Sequence, residues 1–193
     1  MNITGKASIY VDDKHTAKVY RCSNAEWTTV MNEFEDSSFY QTYAYGSVVY
    51  GDDNIEHILM KDANGLLAAA QVGIRHFPYL KTGTANIHWG PLWIKRHQQG
   101  DIRHFTSIIT AIKSEYAVRR KLLVRLWPNI IDDRHAACKT HLTEKGYIHN
   151  PEERPYRTLR LDISPSLDEL KKNLDQKWRN QHNKDQKNNL TII

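Results

Sequence analysis

Residues 55–77 read IEHILMK, then DANG, then LLAAAQVGIRHF. Two apolar runs of strand length flank an Asn64-Gly65 pair, and glycine tolerates the positive φ that a tight hairpin needs, so the runs at Ile55 to Lys61 and Leu66 to Phe77 are expected to be antiparallel neighbours. Pro78 ends the second run because it cannot donate to a ladder. A third strand is expected from Thr84 to Trp89, and a short one upstream from Ala17 to Cys22. Past Gly90-Pro91, the residues Ile102, Phe105, Ile108, Ile109, Ile112 and Tyr116 keep helical spacing behind a capping Asp101. Leu122 to Trp127 reads as a buried strand. Asp132 or Asp133 then caps a helix that stops at Gly146, and Tyr156 to Ile163 is the last strand of the body.

Between the first two strands lie two helical segments. Ser23-Asn24-Ala25-Glu26 is a capping box, in which a hydroxyl and a carboxylate satisfy the first free amides, followed by a stripe of Trp27, Val30, Met31 and Phe34. Phe39 to Tyr50 is a second helical or irregular stretch, dense in aromatic residues. Residues 1–16 show no period and are expected to be a loose leader ahead of a body at 17–163. Ser166 to Glu169 is another capping box, opening one long helix with the stripe Leu167, Leu170, Leu174 and Trp178. That helix turns polar at His182 and Asp185, and its later turns are expected to project or fray. Leu190 to Ile193 begins a strand, an exposed edge through which copies could associate.

The chain has 193 residues, 40% hydrophobic and 25% charged, which is the balance of a folded domain with one core rather than of a disordered, collagen-like or coiled-coil chain. The longest apolar stretch, Gly65 to Gly73, is far short of the roughly 20 residues that span a bilayer, so the expected location is the cytoplasm. Cys22 and Cys138 are too few for a disulfide framework and are read as free thiols. The net charge of +5 is concentrated at the end: Lys171, Lys172, Lys177, Arg179, Lys184 and Lys187 outweigh Asp175 and Asp185. A basic tail suits a polyanionic partner or a solvated helix face.

No G-x-S-x-G elbow, phosphate-binding G-x-x-x-x-G-K-[ST] loop or strand-linked G-x-G-x-x-G occurs. His135, Cys138 and His141 would spread over one helix with no second ligand cluster, so no metal is expected. Two constellations remain. Phe39 to Gly46 together with Trp89-Gly90-Pro91-Leu92-Trp93 sets amides among flat rings, as a cleft floor or as a plain aromatic core. Lys177 to Lys184 sets Arg179 beside Trp178 on a basic helix, as a phosphate contact or as a solvated face.

The order of these elements is that of a GNAT-type acyltransferase. The chain resembles the Fem-type peptidoglycan aminoacyltransferases and their GNAT relatives from about Ala17 onward. The matching stretches are Phe39 to Gly46, against the family's Phe-x-Gln-[Ser/Thr]-x-x-Trp-Gly with Tyr45 in place of Trp, and then Ile87 to Trp93, Tyr156 to Ile163, and Ser164 to Ile193. The resemblance implies a GNAT-like α/β fold, a central mostly antiparallel mixed sheet flanked by helices. Family members hold two such halves, so 164–193 would open a second half. It further implies an N-acyltransferase moving an aminoacyl or acyl group onto an amine of a peptidoglycan or other cell-envelope precursor. The donor would be aminoacyl-tRNA or acyl-CoA, with no permanently bound cofactor. By match to the family's segments, the substrate contacts would be Gln41, Tyr43, Tyr45, Trp89, Gly90 and Arg179, with Arg75 and Arg125 as strand-borne alternatives for a phosphate, and Gln41, Tyr45 and Trp89 would share a cleft. No general base is nominated. The loop that takes the CoA pyrophosphate in GNAT enzymes has only a faint echo at Arg96 to Asp101. The alternative function is a truncated, non-catalytic GNAT-like module that binds a partner or polyanion.

Overall fold

The hairpin at the centre of the sequence folds as its turn chemistry requires. Gly65 takes a φ of 134°, and Asp62 Oδ1 accepts the backbone N–H groups of Asn64 at 2.7 Å and Gly65 at 3.0 Å. The computed structural model describes residues 9–10, 15–80, 82–130, 136–153 and 162–186, which divide into two units, Met1–His149 and Asn150–Ile193. This division falls ahead of the junction at 163/164 expected from the sequence.

The first unit is built on a six-stranded sheet in chain order: β1 (Ile9–Tyr10), β2 (Thr16–Tyr20), β3 (Ile55–Asp62), β4 (Gly65–His76), β5 (Gly83–His88) and β6 (Leu123–Trp127). All neighbours are antiparallel except β5 and β6, which run parallel with His88 beside Trp127 at the end of the register. A parallel pair needs a crossover, supplied here by α3 (Ile102–Ile112). The architecture is an α/β one, a mostly antiparallel mixed sheet flanked by helices. Within the stretch expected to be a loose leader, Ile9–Tyr10 pairs with Ala17 and Thr16, because β2 otherwise leaves a backbone edge that a two-residue strand can take up.

One face of the sheet carries Ile58, Met60, Val72, Ile74 and Ile87 against Phe105, Ile108, Ile109 and Ile112 of α3 and against Cys138 of α4 (Ala136–Glu144). Burial of side chains of this size stabilises by about 1.5 to 3 kcal/mol each before ordering costs are set against it. The opposite face carries Leu59, Leu66, Ala69 and Leu92 against Trp27 and Val30 of α1 (Asn24–Met31) and against Phe34 just beyond it. The Ser23–Glu26 capping box forms as read, and Asp101 accepts the Arg103 N–H to open α3. Instead of ending, α3 widens into a π-helical stretch, Lys113–Arg119. There the Arg120 N–H reaches Glu115 O at 3.2 Å, and both Arg119 and Arg120 engage the buried Glu115 carboxylate. Gly146 takes a φ of 76° after α4, where a helix C-terminus favours glycine. The expected caps at Asp132 and Asp133, the strand from Tyr156 and the strand at Leu190 to Ile193 lie outside the described residues.

The second unit corrects the expectation of one long helix. Ser166 caps α5 (Leu167–Asn173), but Leu174 is extended, with ψ 146°, and α6 (Gln176–Gln186) starts afresh. The reason is local. Asp175 accepts the Lys177 N–H at 2.9 Å, a capping bond that competes with helix continuation, and the apolar stripe offers no compensating burial because Leu167 and Trp178 are exposed. No helix among the described residues is long and apolar enough to cross a membrane.

Candidate active site

β4 and β5 pair as far as Gly73 with Asn86, then part, and pairing resumes only between Ala69 and Leu92. In the interval β4 runs through Val72, Gln71 and Ala70, while the other strand takes the longer path Ile87, His88, Trp89, Gly90 and Pro91. The carboxamide of Gln41, on a 3₁₀ turn (Phe39–Gln41), fills the gap. Its Oε1 accepts the Gln71 N–H at 2.8 Å, and its Nε2 donates to His88 O at 2.7 Å and Gln71 O at 3.4 Å. Its own carbonyl accepts Trp27 Nε1–H at 2.5 Å. A Cβ at residue 90 would stand 2.9 Å from Gln41 Cδ, so Gly90 lets the carboxamide lie flat against the backbone.

Behind this brace runs a second buried chain of polar groups. Gln71 Nε2 donates to Thr42 O at 2.8 Å, Gln71 Oε1 meets His57 Nε2 at 3.2 Å, and His57 Nδ1 accepts the Cys22 N–H at 3.3 Å. With Nδ1 accepting, the proton of neutral His57 sits on Nε2 and donates to Gln71. Burial pushes the His57 imidazole down to about 4, so it is neutral at physiological pH. Farther along, the buried Asp36 carboxylate takes the N–H groups of Trp93 (3.0 Å) and Ile94 (3.3 Å), while Asn129 donates to Asp36 O. Asp36 thereby ties together the chain beyond β5 and the chain beyond β6. Desolvation outweighs those hydrogen bonds and pushes its pKa up to about 6.

Above the brace lies a row of side chains drawn from several elements. α2 (Tyr43–Tyr50) crosses β4 closely because Gly46 and Gly73 carry no side chain. A Cβ at residue 73 would stand 2.2 Å from the Tyr50 ring. Tyr50 Oη is 2.9 Å from His88 Nε2, and His88 stacks on Trp127 at 4.3 Å and 7°. Guanidiniums sit over the rings at either end, Arg75 on Tyr50 at 5.2 Å and Arg125 on Trp127 at 4.6 Å. Tyr45 meets His88 edge-on, Tyr40 meets Tyr45, and Tyr40 stacks on Trp89. Burial, reinforced by Tyr45, pushes the Tyr50 phenol up to about 12 against the opposing pull of Arg75 and Arg125, so it keeps its proton.

Within the first unit the structure brings Gln41, Tyr45, Trp89, Gly90, Arg75 and Arg125 to one place and leaves one expected contact, Tyr43, elsewhere. Gln41 braces the strands: it is buried, with both ends of its carboxamide spent on backbone, so it does not face a ligand. Tyr43 turns the other way, its ring 6.3 Å from His57 and its phenol toward Asp52. Arg179 lies in the second unit, where Nη2 donates to Leu174 O at 3.1 Å and closes the end of α5. The residue missed from the sequence is His88. The strand alternation that sets Asn86 and His88 on one face was the available signal, next to the Trp89-Gly90 pair. Cys138 is buried, with its thiol pushed up to about 11, and no group of metal-ligating residues forms among the described residues.

No family model matches the chain, and no curated protein matches it in sequence. Among solved structures, an aminoglycoside acetyltransferase from an uncultured soil metagenomic sample, in complex with trehalose, is 12% identical with a TM-score of 0.45. The match covers 78% of this chain and 99% of that one. A possible acetyltransferase from Clostridium difficile 630 is 8% identical with a TM-score of 0.42, covering 77% and 100%. At such identities the likeness assigns no residue a role.

Proposed function

We propose that the chain is an N-acyltransferase whose acceptor amine is activated at His88. One observation carries this reading: the His88–Tyr50 hydrogen bond stands at the end of the parallel β5–β6 pair, inside an aromatic wall and between two guanidiniums. Ligands of open α/β sheets collect at the carboxyl ends of strands, and flat rings with a few convergent polar groups are the usual lining. In the reaction, the amine nitrogen attacks the acyl carbonyl carbon. The new C–N bond forms as the bond to the donor's leaving oxygen or sulfur breaks, His88 takes the amine proton, and that proton passes to the leaving group. Tyr50, which stays protonated, holds the imidazole in place.

Within this reading, the sequence resemblance supplies the finer terms: an aminoacyl or acyl donor and an amine on a cell-envelope precursor, with Arg75 and Arg125 facing a phosphate of either. The start of α3 favours aminoacyl-tRNA over acyl-CoA as donor. A helix N-terminus that receives a diphosphate needs free amides and positive potential, yet Asp101 occupies it, accepts the Arg103 N–H and is held down at about 2 by the Arg103 guanidinium and amide. The exposed Trp178 beside Lys177 on α6 suits contact with a polyanion such as tRNA, which also supports the non-catalytic alternative.

The test is a transfer assay on the full chain with aminoacyl-tRNA or acetyl-CoA as donor and a sugar-nucleotide peptide as acceptor. His88→Gln is expected to lower kcat by about 10²- to 10⁴-fold, the usual share of a general base, with donor binding retained. Donor binding without turnover in the unmutated chain would favour the non-catalytic module. Turnover unchanged in the His88 variant would remove His88 from the mechanism.

A further inference from the structure

Between Gly73 and Ala69 the chain of β4 passes through three residues, while the strand opposite takes five, Ile87 to Pro91, before Leu92 pairs again. The excess makes a bulge beside the His88 row, and bulges next to active sites re-aim side chains. The effect is visible at Trp89. Side chains of a regular strand alternate, so Trp89 would leave the sheet on the face of the core residue Ile87, opposite His88. Instead Trp89 stacks on Tyr40 at 5.3 Å, Tyr40 meets Tyr45, and Tyr45 meets His88, so two consecutive side chains end in one row of rings. The backbone that permits this is left-handed: Trp89 has a φ of 51°, a costly value for a bulky residue. Strain of this kind persists only where the surroundings over-determine it.

Buried polar groups beneath the bulge supply that constraint. Gln41 Nε2 donates to His88 O, the carbonyl of the peptide that enters Trp89, and the carboxamide lies against Gly90, the residue that leaves it. Gln71 aims Gln41 twice: its backbone N–H donates to Gln41 Oε1, and its Nε2 donates to the carbonyl of the next residue, Thr42. His57 in turn orients Gln71. Because its Nδ1 accepts the Cys22 N–H, its proton sits on Nε2, which holds Gln71 Oε1 and leaves Gln71 Nε2 for Thr42. The imidazole is packed on Trp27 at 4.3 Å and lies parallel to Tyr43 at 6.3 Å.

We infer that His57 and Gln71 are positioning residues for the acyl transfer proposed above: through Gln41 they clamp the left-handed backbone at Trp89 and so set the His88 imidazole and the Trp89 ring in one wall of the site. Their role in turnover rests on the reading of His88, whereas the clamp on residues 88–90 does not. Displacing a reacting group by about 1 Å costs about 100-fold in rate, so a clamp at this distance has leverage on kcat.

The test compares His57→Phe, which keeps a ring against Trp27 and Tyr43 but removes both nitrogens, with His57→Gln, which returns a donor to Gln71. The full chain, isotopically labelled at histidine, is read by NMR, with the His88 signals identified by their loss in His88→Gln. Turnover is measured with the donors and acceptor named above. In the Phe variant the His88 signals are expected to lose the ring-current shift of stacking on Trp127, and kcat to fall about 10- to 100-fold with KM little changed. The Gln variant should return both toward the unmutated values. Trp89→Gly and Trp89→Ala, compared in urea, read the strain without touching His57: the Gly variant should withstand more urea, because glycine alone takes the left-handed backbone without cost. An Ala variant as stable as the Gly one overturns the inference. So does a folded Phe variant whose His88 signals stay in place or whose kcat is unchanged. Failure of His57→Gln to restore either also overturns it, since the loss would not then pass through Gln71. Unchanged turnover in His88→Gln would instead remove the reading of His88, and the NMR and urea measurements, which need no turnover, would still decide the clamp.

Discussion

Replacing Gln41 by Leu keeps the side chain's reach and removes its carboxamide. Three hydrogen bonds vanish, and two backbone groups, Gln71 N–H and His88 C=O, lose the partner that bridges the parted strands. Water has little room to replace it, since the carboxamide lies against Gly90 and Gln71 is 4% exposed. An orphaned buried backbone group costs about 1 to 3 kcal/mol, so the pair predicts a loss of about 2 to 6 kcal/mol. Urea unfolding at pH 7 measures it, and with a slope of about 1 to 3 kcal/mol per molar the midpoint should fall by at least about 0.7 M. Gln41→Glu gives the sign. An ionised Glu would still accept from Gln71 but would set its charge against His88 O, so its folded pKa is raised. Its stability should approach that of the unmutated chain below the unfolded pKa of about 4.3 and be lost as pH rises through the folded value. A Gln41→Leu loss under about 0.5 kcal/mol, or a Glu variant indifferent to pH relative to the unmutated chain, would refute the brace.

Two other perturbations read the same region. Gly73→Ala places a methyl 2.2 Å from the Tyr50 ring and must expel that ring from beside His88; the expected result is a stability loss of about 1 to 3 kcal/mol by thermal unfolding, together with loss of any activity dependent on His88. Asp36 and His57 oppose one another in pH. His57, lowered to about 4, contributes stability that is full above 6.5 and is lost as pH falls toward 4, whereas Asp36, raised to about 6, contributes stability that is full below 3.8 and is lost as pH rises through 6. Asp36→Asn keeps an acceptor for one of the Trp93 and Ile94 amides and removes the second effect. Between pH 6.5 and 4 the variant should therefore lose about 3 kcal/mol more than the unmutated chain in urea titrations, and parallel curves would show that Asp36 stays ionised.

The local features of the fold were legible in the sequence because each rests on near neighbours. The Asn64-Gly65 turn, the Ser23 and Ser166 capping boxes, the Asp101 cap and the glycine stop at Gly146 need only residues a few positions apart, and the apolar periods of β3, β4 and α3 follow from which face each must bury. Phe39 to Gly46 and Ile87 to Trp93, the stretches that carry the resemblance, come together in the fold. The resemblance did not separate roles within that region. Whether Gln41 faces a ligand or a strand depends on β4 and β5 parting after Gly73 and Asn86, a long-range pairing that no local pattern encodes. The joining of His88 to Tyr50, 38 positions earlier in the chain, depends on α2 settling onto a glycine in β4. The break at Leu174 was hidden for the same reason: a stripe at helical spacing holds a helix together only if something covers it, and the exposure of Leu167 and Trp178 let the Asp175 cap prevail. Sequence determined the elements through short-range hydrogen bonding and burial period. Tertiary structure decided the site, because its chemistry lies in contacts between side chains that only the packed sheet brings within a few ångströms.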